Sequence, residues 1–107
     1  MLAIDVNNKI RMVRGDTACI EFALDNYKLS PGDQVKFTVK TSVSAEEPSI
    51  LKIITEFEDG KAIIKLEEND TKHLEAIEYL YEIEVRIGEE IVDTVITATQ
   101  FKLIADL

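Results

Sequence analysis

One cysteine and one histidine are the residues of this sequence best suited to nucleophilic chemistry. A hydrolase needs a nucleophile, a base and an orienting group within hydrogen-bonding distance of one another. Cys19 precedes Ile20 in an alternating apolar segment, where a small strand residue is ordinary, and His73 lies in a charged segment typical of a turn. We therefore expect no catalytic pair, and no catalytic residue elsewhere in the chain.

The segment Glu67-Glu68-Asn69-Asp70 offers the oxygen ligands that Ca²⁺ prefers. It lacks the D-x-D-G pattern of a calcium-binding loop, and an Asn or Asp that caps the start of a helical turn explains the same residues. No group of Cys and His residues has the spacing of a zinc site. The sequence favours a helix cap here and predicts no metal and no cofactor.

Two further segments are candidates for binding. Arg14-Gly15-Asp16 spells the tripeptide that integrins recognise, but a glycine with charged neighbours between two strands is also an ordinary turn, which is the favoured interpretation. Tyr27 lies in a polar segment and is the aromatic residue best placed to be exposed. Tyr79 and Tyr81 alternate with polar residues and are expected in the core. None of these residues predicts a binding site by itself.

The charge of the chain is strongly negative. Asp and Glu total 21 against 12 Lys and Arg, so the formal charge of −9 repels phosphate backbones and anionic lipids. We expect neither nucleic acid nor a membrane as a partner. No window approaches the roughly 20 apolar residues of a membrane span, and the N-terminus lacks the basic start of an export signal. The expectation is a protein made inside the cell without an export signal of its own.

Apolar and polar residues alternate with a period of two through most of the chain, which predicts β-strands. The clearest run covers residues 77–87, and shorter runs occur between residues 2 and 12, at 18–24, at 35–39 and at 62–66. The strand 50–57 is apolar on both faces, and Leu51, Ile53 and Phe57 form its expected inward row. The predicted core consists of Ile20, Phe22, Val35, Phe37, Val39, Ile64, Tyr79, Tyr81, Ile83 and Val85.

Turn residues separate these runs. Asp59-Gly60 suits a hairpin that needs positive φ, and Ser30-Pro31-Gly32-Asp33 suits a proline-initiated turn. Residues 42–48 predict a loop, and the alternation changes phase near Thr97-Ala98-Thr99, which predicts a bulge or a break. We expect one domain, residues 1–107, that forms an antiparallel immunoglobulin-like β-sandwich of about 7–9 strands with a short helical turn near residues 70–75. A small β-barrel is the alternative.

A series of short motifs follows a fixed order along most of the chain. They are Arg14-Gly15-Asp16-Thr17, Leu29-Ser30-Pro31-Gly32-Asp33 with the strand 35–40, Asp70-Thr71, the tyrosine strand with Tyr79 and Tyr81, and Asp93-Thr94-Val95-Ile96 with Phe101. The series resembles small β domains of phage and prophage structural proteins of Gram-positive bacteria, including the N-terminal domain of baseplate upper proteins. The resemblance implies a non-enzymatic tail or baseplate component that contacts other phage structural proteins. It also implies a place in the virion, after assembly in the bacterial cytoplasm.

Two other functions remain compatible with the sequence: an immunoglobulin-like adhesion or ligand-binding module, and a small enzyme or enzyme inhibitor. An enzyme would require a pocket with converging polar groups. If the protein is a homo-oligomer, the candidate contact segments are 50–57 and 101–104, so Ile54→Lys or Ile104→Lys is expected to break it. Alternatively, the preceding loop covers the first segment and the second segment simply completes a sheet.

Overall fold

The computed structural model describes residues 2–107, so Met1 lies outside it. The alternating segments fold as strands because an extended chain sends successive side chains to opposite faces of a sheet. In chain order the described elements are β1 (Ala3–Ile4), β2 (Ile10–Val13), β3 (Ala18–Phe22), β4 (Gln34–Lys40), β5 (Ile50–Ile54), β6 (Ala62–Leu66), α1 (Glu68–Thr71), β7 (Glu78–Ile87) and β8 (Ile91–Ile104). This confirms the predicted all-β class and its short helical turn.

The strands form two sheets that pack as a sandwich-like domain, as predicted. Six strands lie in the order β1-β2-β8-β7-β4-β5, and β3 pairs with β6 in a second sheet. Neighbouring strands are antiparallel, except that β2 runs parallel to β8. This parallel pair departs from the antiparallel prediction. It joins distant parts of the chain, and alternation alone carries no information about strand direction.

The hydrophobic core lies between the two sheets. All ten predicted core residues are buried, and the most accessible of them, Phe22, is 8% exposed. The rings of Phe37, Tyr81 and Phe101 meet at tilted and edge-on angles, with centroids 5.6 to 6.4 Å apart. The core therefore confirms the inward rows predicted for β3, β4, β6 and β7.

Tyr79, near the start of β7, supports the immunoglobulin-like arrangement. Its hydroxyl donates a hydrogen bond of 2.8 Å to the carbonyl oxygen of Glu75, four residues upstream. Immunoglobulin-like sandwiches place such a tyrosine corner at the start of the corresponding strand. The bond fixes the chain between α1 and β7.

The predicted turns and the predicted bulge are also present. Asp59 and Gly60 have φ angles of 51° and 78° and form the predicted tight turn, closed by a bridge between Glu58 and Lys61. The predicted hairpin is not formed, because β5 and β6 lie in different sheets. The register of β8 against β7 shifts between Tyr81 and Ile83 and again between Ile83 and Glu84, so β8 is bulged where its alternation changes phase. The α1 helix begins at Glu68, and among residues 2–107 no helix is long and apolar enough to span a membrane.

The inward row predicted for residues 50–57 is wrong at Leu51 and Ile53, whereas Phe57, which lies beyond the end of β5, packs against the core as predicted. Ile50 is 4% exposed, whereas Leu51 and Ile53 are 46% and 52% exposed. Antiparallel pairing places Ile50 opposite Val39, whose side chain points inward, and directly opposed residues share a face. The N–H of Ser49 donates to the carbonyl of Val39 at 2.7 Å and extends this pairing. Leu51 and Ile53 consequently lie on the outer face of the sheet.

This register also changes the residues suited to testing self-association. Ile54 lies opposite inward-facing Val35 and packs against the core, so Ile54→Lys would disturb folding. Ile104 is half-buried and pairs with Val13 of β2, so the C-terminal strand completes the sheet. Ile77, expected in the inward row, precedes β7 and is 40% exposed. Surface substitutions belong instead at Leu51 and Ile53.

Candidate functional site

Cys19 and His73 lie on different elements. Cys19 is an exposed residue of β3 and lies opposite Lys65 of β6, on the solvent side of the two-stranded sheet. His73 is exposed just after α1. Within residues 2–107 no hydrogen bond joins the two side chains.

Arg14 and Gly15 occupy the turn between β2 and β3, where both are engaged within the domain. The Arg14 guanidinium contacts the Asp106 carboxylate at 2.9 and 3.0 Å and donates to the carbonyl of Leu74 at 3.3 Å. The hydrogen bond from Arg14 lowers the pKa of Asp106. The N–H of Gly15 donates to Oγ1 of buried Thr71 at 2.8 Å. The tripeptide thus anchors α1 and the C-terminal segment, which supports the interpretation as an ordinary turn.

The oxygen-rich segment caps α1. The N–H of Glu67 donates to Oδ2 of Asp70 at 2.7 Å, and the Lys52 ammonium lies 2.9 Å from the same oxygen. The Asp70 carboxylate therefore caps α1 and also forms an ion pair with Lys52, whose side chain points inward from β5. Among residues 2–107 no three acidic, His or Cys side chains are grouped to hold a metal ion.

Asp33 forms a polar centre that the sequence did not reveal. The residue is 5% exposed, and its carboxylate accepts hydrogen bonds from the Tyr27 hydroxyl at 2.7 Å, the Ser30 N–H at 3.0 Å and the Gly88 N–H at 3.1 Å. The Tyr27 bond is the main cause of the lowered pKa of Asp33, and the same bond raises the pKa of Tyr27. Tyr27 is 37% exposed, but its hydroxyl is engaged by Asp33, and the bond from Gly88 to Asp33 joins the loop before β4 to the β7–β8 turn.

The outer face of the six-stranded sheet carries a shallow groove of about 270 Å³. Its floor is formed by β4, β7 and part of β8, and the loop between β4 and β5 forms one wall. The residues that line it are Lys36, Thr38, Lys40, Ser42, Val43, Glu46, Pro48, Leu51, Leu80, Glu82, Glu84 and Ala98. Val43 on the wall is 71% exposed, and exposed Ile53 continues the apolar surface along β5. Grouped apolar residues of this kind mark contact surfaces more often than isolated ones do.

Charges of opposite sign form two rows on this face. Lys36 and Lys40 project from β4, and Glu82 and Glu84 project from β7, with Lys36 directly opposite Glu84. The ion pairs found among residues 2–107 involve none of these four side chains. We call these residues, together with Leu51, Ile53 and Leu80, the outer-face patch.

The free edge of β8 is a second candidate surface. Between residues 91 and 100 this strand pairs with β7 on one side, and β2 begins only opposite Phe101. Among residues 2–107, no strand lies along the other side of this stretch. Ile91, Val92 and Val95 are 54%, 50% and 40% exposed. However, the two register shifts interrupt this edge, and bulges are a device that prevents strand addition. The outer-face patch is therefore the better candidate.

Comparisons with known proteins do not place the chain in a family. No protein-family model matches it, and a search of curated proteins finds no match.

Proposed function

We propose that this protein is a non-enzymatic structural component of a phage or prophage particle, of the tail or baseplate type, that acts through protein–protein contacts. The observation that carries the proposal is the ordered motif series from Arg14 to Phe101. Its residues make long-range contacts: Gly15 bonds to Thr71, and Asp33 bonds to Gly88. The motifs are thus parts of one domain.

The outer-face patch supports the protein–protein part of the proposal. It combines exposed apolar side chains on β5 with charges on β4 and β7 that form no ion pair among residues 2–107, and binding interfaces contain both apolar and polar groups. The groove lies on the open face of a sheet, and the apolar surface continues beyond it to exposed Ile53, so a protein surface is the occupant that fits best. The partners would be other phage structural proteins or further copies of the chain, assembled in the bacterial cytoplasm and retained in the virion.

The test is to follow the protein into particles. A tagged copy is expressed in the host that carries the gene, particles are purified on a density gradient, and the protein is quantified by mass spectrometry. We expect a fixed ratio to the other tail proteins that survives a high-salt wash. Leu51→Lys should reduce incorporation, whereas Val6→Lys, at a residue 97% exposed away from the patch, should not.

Complete particles that lack the protein would overturn the proposal. If the same protein instead bound purified cell envelopes, the second candidate function, an adhesion or ligand-binding module, would be supported. The specific observation that favours this alternative is the groove itself, because it presents apolar and charged groups side by side.

A further inference from the structure

The two charged rows of the outer-face patch are self-complementary. The β4 row carries Lys36 and Lys40, and the β7 row carries Glu82 and Glu84, followed by Arg86 opposite Gln34. The two strands are adjacent, and their register places Lys36 level with Glu84 and Thr38 level with Glu82. A two-fold axis can lie between the outer faces of two copies, parallel to the strands and above the line midway between β4 and β7. Rotation about this axis would bring β4 of one copy over β7 of the other. Lys36 of each copy would then face Glu84 of its partner.

We propose that the outer-face patch binds the same patch of a second copy of this chain and forms a two-fold symmetric dimer. The inference deepens the proposed protein–protein role by naming the surface and the partner. Symmetry requires that every contact occurs twice, so one favourable Lys36–Glu84 pair implies a second. A face with charges of one sign would repel its own copy, whereas adjacent rows of opposite sign attract it.

The apolar residues fit the same operation. Leu51 is paired with Thr38, which is itself paired with Glu82 of β7, so these three residues are level along the sheet. The rotation places β5 of one copy over β8 of the other. Leu51 is thereby carried toward the part of the partner's β8 that contains the small residue Ala98. Ile53 is level with Lys36 and Glu84, and Glu84 pairs with Thr94, so Ile53 is carried over Thr94. Both exposed residues of β5 would thereby contact small side chains, which allows close packing of the two faces.

The size of the patch sets the expected strength of the dimer. Four strands about 4.8 Å apart and about 24 Å long cover roughly 450 Å² of each copy, which is below the roughly 800 Å² per partner of a standard interface. The net charge of −9 on each copy also opposes association at long range. We therefore expect a weak, concentration-dependent dimer, best observed at physiological salt, where that repulsion is screened.

Sedimentation equilibrium of the full chain, from micromolar to near-millimolar concentration, tests the inference. Wild type should form a dimer, and Lys36→Glu and Glu84→Lys should each weaken it by about tenfold or more, because like charges then face each other. An equimolar mixture of the two variants should dimerise again, since each mixed pair has two Lys–Glu contacts. This recovery cannot arise from a change in folding, because the charge repulsion inside each variant persists in the mixture.

Lys65→Glu is the matched control, because Lys65 is exposed on the solvent side of the two-stranded sheet. Wild type that stays monomeric at every concentration, a mixture that fails to dimerise, or an equal effect of Lys65→Glu would overturn the inference. A monomer that is nevertheless present in purified particles overturns the dimer and supports the proposed function. A dimer whose protein is missing from particles supports the inference and overturns the proposed function.

Discussion

The inner and outer faces of β4 and β7 are made by the same two strands but follow different rules. On the inner face Val35, Phe37, Val39 and the facing residues of β7 are 3% exposed or less. On the outer face the intervening positions carry charged rows that contact solvent. The inner face is specified by exclusion of water, which any apolar side chain of suitable size satisfies. The outer face is specified by the sign and order of its charges, and that pattern gives it a capacity for recognition.

The largest expected effect tests the division between the two faces. Ile83, on the inner face of β7, is 2% exposed, so Ile83→Ala should lower the free energy of unfolding by about 2–5 kcal/mol through lost burial and a residual cavity. Leu80→Ala, on the outer face of the same strand, should cost less than about 1 kcal/mol. Chemical denaturation measures both values. Equal losses would mean that the faces of β7 are not distinct in the way the register requires.

A smaller effect is expected where the sheet ends, at Asp33. Asp33→Ala removes the acceptor for Tyr27, Ser30 and Gly88 and should lower the free energy of unfolding by about 1–3 kcal/mol. Tyr27→Phe removes one of these bonds and should cost about 0.5–1.5 kcal/mol. If Tyr27→Phe were as costly as Asp33→Ala, the backbone bonds to Ser30 and Gly88 would contribute nothing.

The dependence of stability on pH isolates the same carboxylate. The Tyr27 hydroxyl, followed by the Ser30 N–H, lowers the pKa of Asp33 in the folded state. A lowered folded pKa contributes stability above the ordinary aspartate pKa of about 3.9, and this contribution is lost as the pH falls toward the folded value. Thermal unfolding between neutral pH and acid should therefore show a steeper acid loss for wild type than for Asp33→Asn. Parallel profiles would exclude Asp33 as a source of acid sensitivity.

The smallest effect is expected from Cys19 and His73, the residues best suited to nucleophilic chemistry. Cys19 and His73 are both exposed and lie on different elements, so Cys19→Ala with His73→Gln should change the free energy of unfolding by no more than about 0.5 kcal/mol. Dimerisation and incorporation into particles should also be unchanged. If the folded double variant lost dimerisation or incorporation, these two side chains would have a functional role despite lying on different elements.

The sequence predicted the parts of this fold that depend on local alternation. The inner rows of β3, β4, β6 and β7, the Asp59-Gly60 turn and the bulge in β8 all follow from patterns within a few residues. The inward and outward positions of β5 were mispredicted because the charged residue of the strand, Lys52, does not point to solvent. Its aliphatic stem lies on the inward face, and its ammonium reaches Asp70. Alternation cannot reveal a partner that lies on another element.

The candidate site was predictable only in part, for the same reason. The lysines of β4 and the glutamates of β7 can be read as polar positions, but nothing local indicates that these two strands are neighbours with Lys36 level with Glu84. Asp33 was recognised as a turn residue, while its bond to Gly88 spans 55 positions of sequence. Interactions that depend on the pairing of distant strands require the three-dimensional structure.

The parallel pair of β2 and β8 has a consequence for synthesis on the ribosome. Arg14, next to β2, bonds to Asp106, next to β8, across 92 positions of sequence. The β4–β5 hairpin in between can form as soon as its own residues emerge, because it closes a short loop. β2, however, has no partner on its β8 side until residues 101–104 have left the ribosome. Closure of the six-stranded sheet is thus delayed until translation has passed this segment, and the nascent chain must keep that edge of β2 from pairing elsewhere in the meantime.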